Sequence, residues 1–159
     1  MMKSVILKEL NIPAEQLESI RKQSIESIQI FDFTKNLLNQ LSKDYLIGII
    51  SNNSKEWGED ILKKNNIKDY FKIIIFSHEV GLAKPDKKIY ELAFSKLKNI
   101  SPQEILFIDD KEKSLIPARE EGWNTILFHS YEQLITDLKK FLGQNTKDYI
   151  VEDIDKHSN

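Results

Sequence analysis

The six residues Ile105-Leu106-Phe107-Ile108-Asp109-Asp110 constrain this chain more than any other stretch. Four consecutive apolar residues, two of them β-branched and one aromatic, read as a short strand buried on both faces. Two carboxylates follow where such a strand ends, and in an open α/β sheet the carboxyl end of a strand is where ligands bind. Adjacent acids repel unless a cation or a shared proton relieves them. A hard divalent ion such as Mg²⁺, which takes oxygen ligands and keeps several waters, suits the pair. A plainer account is equally open on these residues alone: Asp is a favoured helix N-cap, and the two acids could simply start the next helix.

The flanking sequence alternates helix and strand patterns, as an α/β fold does. Thr34 can cap a helix through about Lys43, with Leu37, Leu38 and Leu41 turned inward. Tyr45-Leu46-Ile47-Gly48-Ile49-Ile50 is another buried-strand pattern, and it ends in Ser51-Asn52-Asn53-Ser54. Their hydroxyl, amide and backbone N–H groups, with a helix N-terminus beyond, could hold a phosphate, though an ordinary capped loop has the same composition. A helix from about Lys55 to Asn65 leads to a strand at Lys72-Ile73-Ile74-Ile75-Phe76. Ser77 to Ala83 reads as a loop, and Pro85 suits the first turn of the helix running from Lys87 to Lys98. Lys84 then projects from the loop as a fixed positive charge near the strand ends. After the acids, Lys111 to Glu121 forms a helix that tolerates Pro117 only near its first turns. Gly122 ends it, Asn124-Thr125-Ile126-Leu127-Phe128 forms a short strand, and a last helix from about Tyr131 to Leu142 stops at Gly143.

Residues 1–30 carry two amphipathic helical patterns, one with Val5, Ile6 and Leu10, the next opened by Pro13 with Leu17, Ile20, Ile25 and Ile28. Residues 144–159 are polar and acidic and read as a frayed tail. With 159 residues, 40% hydrophobic and 30% charged, the chain can bury the core of a single domain. A net charge of -2 gives no electrostatic case for nucleic acid or an anionic membrane. The absence of cysteine excludes disulfides, thiolate catalysis and cysteine-bound zinc, and three scattered histidines show no metal-ligand spacing. No apolar run approaches a membrane span or a signal peptide, so the expected location is cytoplasmic.

Ser51 after one strand, Lys84 before a helix and Asp109-Asp110 after a later strand form an ordered set. It resembles three successive motifs of the haloacid dehalogenase (HAD) superfamily, from about Phe31 to Gly143. The most specific piece is Gly81-Leu82-Ala83-Lys84-Pro85-Asp86, followed by a helix bearing Ile89-Tyr90. The resemblance implies a Rossmann-like, three-layer α/β/α parallel sheet, with residues 1–30 the remnant of a helical cap and 31–143 the core. It also implies a Mg²⁺-dependent phosphatase acting on a small phosphorylated metabolite. Ser51 would donate to the phosphoryl group, Asn52 would help to shape the phosphate site, Lys84 would neutralise charge there, and Asp109 and Asp110 would hold Mg²⁺. Lys111 and Lys113 stand where the family more often has small, polar or acidic residues. A receiver-like domain also combines paired acids, a hydroxyl and a lysine, but in a different order along the chain.

The family's chemistry also needs a nucleophilic Asp-x-Asp after the central strand, ahead of Ser51. Before Ser51 the sequence offers only Asp32, which reads as structural, and Asp44. Asp153-Ile154-Asp155 follows Tyr149-Ile150-Val151, but serving that role would require a circular permutation, and it ranks below truncation. The expectation is therefore a truncated or inactive form; the alternative is a non-catalytic phosphate- and Mg²⁺-binding or assembly module. The missing strand leaves a slot between the strand ending at Ser51 and the strand ending at Asp109. Unpaired N–H and C=O groups there would each cost about 1–3 kcal/mol. The two strands must close up, or the slot must be filled by the tail, a partner chain, or a segment lost upstream.

Overall fold

A computed structural model of the chain describes residues 13–28 and 30–143. Helix α1 (Ala14–Ser27) and helix α2 (Asp32–Leu41) precede strand β1 (Ile47–Ser51). Helix α3 (Lys55–Lys64), strand β2 (Phe71–Phe76), the one-turn helix α4 (Ser77–Val80) and helix α5 (Lys87–Ser95) follow. Strand β3 (Leu106–Asp109), helix α6 (Glu112–Glu120), strand β4 (Asn124–Leu127) and helix α7 (Tyr131–Leu142) complete the core. The alternation makes the chain an α/β protein with parallel strands, as the sequence pattern predicts.

Several boundaries depart from the sequence reading for local reasons. Helix α2 starts at Asp32 instead of behind a Thr34 cap, because Phe31 is extended and its carbonyl accepts the Thr34 N–H at 2.9 Å. Asp32 then sits in the first turn, where a carboxylate favours the N-terminal end of the helix dipole. The expected loop after β2 begins with α4, which stops at Gly81, whose φ of 68° suits a residue without a Cβ. Pro85 stands outside α5; the cap is Asp86, whose Oδ1 accepts the Lys88 N–H at 3.0 Å. Pro117 lies in the second turn of α6 and is buried. The helical pattern of Val5, Ile6 and Leu10 and the Asp153-Ile154-Asp155 sequence lie outside the described residues.

Side chains alternate along each strand, and helices cover both faces. On one face α5 and α6 enclose Ile75, Tyr90, Phe107, Leu115 and Trp123, with the Tyr90 and Phe107 rings edge to face at 5.5 Å. The other face holds Leu62 of α3 against Phe76 with Leu38 beside them, and Leu134, Ile135 and Leu138 of α7 against Ile126 with Leu37 beside them. Because Leu37 and Leu38 are neighbours on α2, helices α2, α3 and α7 share that face. Gly58 on α3 is required by the packing: a Cβ there would stand 2.0 Å from Cε1 of the buried Phe76 ring. Helix α1 is tied to α3 by the ion pair of Arg21 with Asp60 and by Lys64 Nζ, which donates to the Ile25 carbonyl at 2.9 Å.

The strands do not form one sheet. β1 pairs with β2 in parallel, Gly48 opposite Ile73 and Ser51 opposite Phe76, and β3 pairs with β4, Leu106 opposite Asn124 and Asp109 opposite Leu127. Among the described residues β1 and β3 share no ladder, so the chain has two two-stranded sheets side by side. The gap falls where the sequence leaves a strand missing, and the two strands have not closed up. Cavities of about 160 and 380 Å³ flank it, both lined by residues of β1 and β3.

Candidate active site

Parallel packing puts the carboxyl ends of β1 and β3 on one side of the molecule. A cavity of about 340 Å³ there is lined by Ser51, Asn52, Lys84, Asp109 and Asp110, together with Lys111, Lys113 and Ser114. All five residues singled out in the sequence are thus brought together from the carboxyl ends of β1 and β3 and from the loop before α5.

Asn52 fixes the loop that carries Lys84. Its Nδ2 donates to the Lys84 carbonyl at 2.8 Å, and its Oδ1 accepts the Lys84 backbone N–H at 2.8 Å. Both ends of the amide are therefore spent on positioning the lysine. Ser51 Oγ accepts from Asn53 Nδ2 at 3.1 Å, which leaves its own hydrogen available to a ligand in the cavity.

Lys84 Nζ lies 2.5 Å from Asp109 Oδ2, with the two side chains only 15% and 6% exposed. The ammonium also sits 5.5 Å from the centre of the Phe107 ring, an added cation–π attraction. Asp109 Oδ1 accepts the Lys111 backbone N–H at 2.9 Å. Burial pushes the Asp109 carboxyl up, but the Lys84 and Lys111 hydrogen bonds, the lysine charge and Ser114 outweigh it and hold the carboxyl below its ordinary range. Asp109 is thus an anion already engaged on both oxygens, while Asp110 is exposed.

Among the described residues no group of three or more His, Cys, Asp or Glu is placed to hold a metal. Two adjacent carboxylates suit Mg²⁺ only if the ion keeps most of its water or takes a further oxygen from elsewhere. Ser114 was not singled out in the sequence. It is buried at the start of α6, where its carbonyl accepts the Tyr90 hydroxyl at 2.6 Å. Burial and the Asp109 charge push that phenol up to about 12. A serine two positions into a helix behind paired acids was the signal available for it. Asp32, in α2, does not line this cavity.

The family model described as haloacid dehalogenase-like hydrolase matches residues 2–128. An uncharacterised hydrolase of Schizosaccharomyces pombe is 30% identical over 84% of this chain and 60% of its own length. The bifunctional epoxide hydrolase 2 of Mus musculus is 32% identical over 64% of this chain and 19% of its own. A pyrimidine 5'-nucleotidase of Escherichia coli is 34% identical over 50% of this chain and 35% of its own. The chain therefore spans well under two thirds of the mouse and bacterial relatives. Among solved structures, a HAD-family enzyme of Bacteroides thetaiotaomicron, complexed with magnesium and inorganic phosphate, superposes with a TM-score of 0.70 at 23% identity. That superposition covers 84% of this chain and 72% of the other. No described helix is long and apolar enough to cross a membrane. Helix–strand order, parallel pairing and the matched span together show that this chain belongs to the haloacid dehalogenase-like hydrolase family.

Proposed function

We propose that the cavity at the ends of β1 and β3 is the phosphate- and Mg²⁺-binding half of a phosphohydrolase site for a small phosphorylated metabolite. The observation that carries this is the convergence of Ser51, Lys84, Asp109 and Asp110 on one cavity. Ser51 would donate to a phosphoryl oxygen. Lys84, held by Asn52, would balance the negative charge that phosphoryl transfer spreads over the oxygens. Asp110, with Asp109 behind it, would bind Mg²⁺, which polarises the phosphoryl group when bound. A glyceraldehyde 3-phosphate phosphatase of Pyrococcus furiosus, 29% identical over 76% of this chain, and the nucleotidase above support a phosphate ester as the ligand.

Among the described residues the carboxylates lining the cavity are Asp109 and Asp110, and Asp109 is paired with Lys84. With Asp109 tied to Lys84 and Asp110 assigned to Mg²⁺, no carboxylate is left over to accept the phosphoryl group, and in this reading residues 13–143 by themselves are a truncated, inactive version of the site. Turnover would need a carboxylate from outside this range or from a partner chain. In the same reading α1 is the end of a cap whose remainder lies elsewhere. The closed Lys84–Asp109 pair also favours the second reading, a non-catalytic module that binds phosphate and Mg²⁺.

Calorimetric titration of the chain with inorganic phosphate, with Mg²⁺ and with EDTA, tests the half-site. Saturable, Mg²⁺-enhanced binding that Lys84→Met or Ser51→Ala weakens at least about tenfold is expected, since each such loss is worth about 1.4 kcal/mol. Absence of binding, or binding indifferent to both substitutions, would overturn the assignment.

A further inference from the structure

We infer that the cavity at the ends of β1 and β3 takes a ligand with two anionic groups, the phosphoryl group and a second phosphate or carboxylate held by Lys111 and Lys113. The inference rests on the proposed function and names the class of substrate that function would serve. Both lysines line the same cavity as Ser51, Lys84, Asp109 and Asp110. They come from the start of α6, behind Asp110, whereas Ser51 comes from β1 and Lys84 from the loop before α5.

The local backbone explains how two lysines separated by one residue reach one cavity. On a helix, residues two apart do not share a face. Lys111 is not yet helical: it is the extended N-cap of α6, with φ −119° and ψ 115°. Glu112, between them, would cancel one of the two charges if it lay in the same wall. It is instead engaged by Arg119, whose Nη1 pairs with it and whose Nη2 donates to its Oε2 at 3.3 Å, and it does not line the cavity. Both lysines are exposed, and among the described residues neither ammonium is paired with a carboxylate.

The balance of charge shows what these lysines have left to bind. Lys84 and Asp109 neutralise each other at 2.5 Å. Asp110 remains against Lys111 and Lys113, so the wall carries one net positive charge before any ligand enters. A phosphate monoester carries nearly two negative charges at pH 7, which one Mg²⁺ offsets, and the surplus persists. An ammonium is a compact charge on a flexible stem with three donors, suited to a carboxylate and a phosphate alike. The cavity has room for the second group: about 340 Å³ lies within the range of small-molecule pockets, roughly 300–1,000 Å³, and exceeds the need of one phosphate.

Calorimetric titration of the full chain with three probes at one free Mg²⁺ concentration tests the inference. Methylphosphonate offers the phosphoryl group alone, phosphonoacetate adds a carboxylate, and methylenebisphosphonate adds a second phosphonate. At least one of the last two is expected to bind about tenfold or more tighter than methylphosphonate, and the tighter of them tells carboxylate from phosphate. Lys111→Met/Lys113→Met should remove that advantage while changing methylphosphonate affinity less than about threefold. Lys88→Met, at an exposed lysine outside the cavity wall, should leave the advantage intact. The inference is overturned if the three probes bind alike, if the double variant weakens methylphosphonate as much as the others, or if Lys88→Met matches the double variant. Methylphosphonate binding that Ser51→Ala weakens, with no gain from a second group, refutes this inference and leaves the phosphate half-site standing. Absence of methylphosphonate binding, or its indifference to Ser51→Ala, refutes the half-site and the inference with it.

Discussion

Replacing Lys84 with methionine keeps the length and much of the packing of the side chain over Phe107 but leaves the Asp109 carboxylate without its partner. Removing one member of a buried ion pair costs about 3–5 kcal/mol, because the other charge stays desolvated. Asp109 keeps the Lys111 backbone N–H, and such charge-assisted hydrogen bonds retain roughly 1.5 kcal/mol or more, which brings the expected loss to about 2–3 kcal/mol at pH 7. The pH dependence identifies the cause. With Lys84 present the Asp109 carboxyl titrates below its ordinary 3.8, so the pair stabilises fully above 3.8 and is lost as the pH falls through the lowered value. Without Lys84 burial is opposed only by the Lys111 and Ser114 hydrogen bonds, so the folded carboxyl titrates higher than in the parent and less of this stabilisation is gained as the pH rises. The stability gap between the two proteins should therefore widen from pH 4 to pH 7. Urea unfolding at several pH values in EDTA measures it, and Lys84→Met/Asp109→Asn should recover part of the loss. A gap below about 0.5 kcal/mol at pH 7, or one that does not change with pH, would refute the argument that this pair is a buried, coupled unit.

Asn52→Ala removes both hydrogen bonds that hold the Lys84 backbone and should cost about 1–2 kcal/mol in urea unfolding, with phosphate affinity falling alongside. Gly58→Ala drives a Cβ into the Phe76 ring, where neither α3 nor the buried ring can yield freely; a loss of about 1–3 kcal/mol is expected from thermal unfolding. Tyr90 should be among the last tyrosines to ionise in an ultraviolet titration, near its value of about 12. Because its folded value is raised from 10.0, the contribution is whole below pH 10 and is lost as the pH rises towards 12, and Tyr90→Phe should abolish that part of the alkaline transition.

Local sequence decided the elements and their chemistry. Apolar runs at Ile47–Ile50, Ile73–Phe76 and Leu106–Ile108 read as strands and are strands, and the polar residues that follow the first and the last of them line one cavity. The acids, the hydroxyl and the lysine that line this cavity stand out in the sequence by residue type and order, as does the gap between β1 and β3. Helix starts were less legible: a backbone carbonyl such as that of Phe31 caps a helix without any polar side chain to announce it. Only the tertiary structure decided that Lys84 and Asp109, 25 residues apart, close on each other, that Asn52 serves the backbone of Lys84, and that β1 and β3 stay apart. These depend on how helices on both faces space the strands, a sum of many weak packing contacts that no short stretch of sequence encodes.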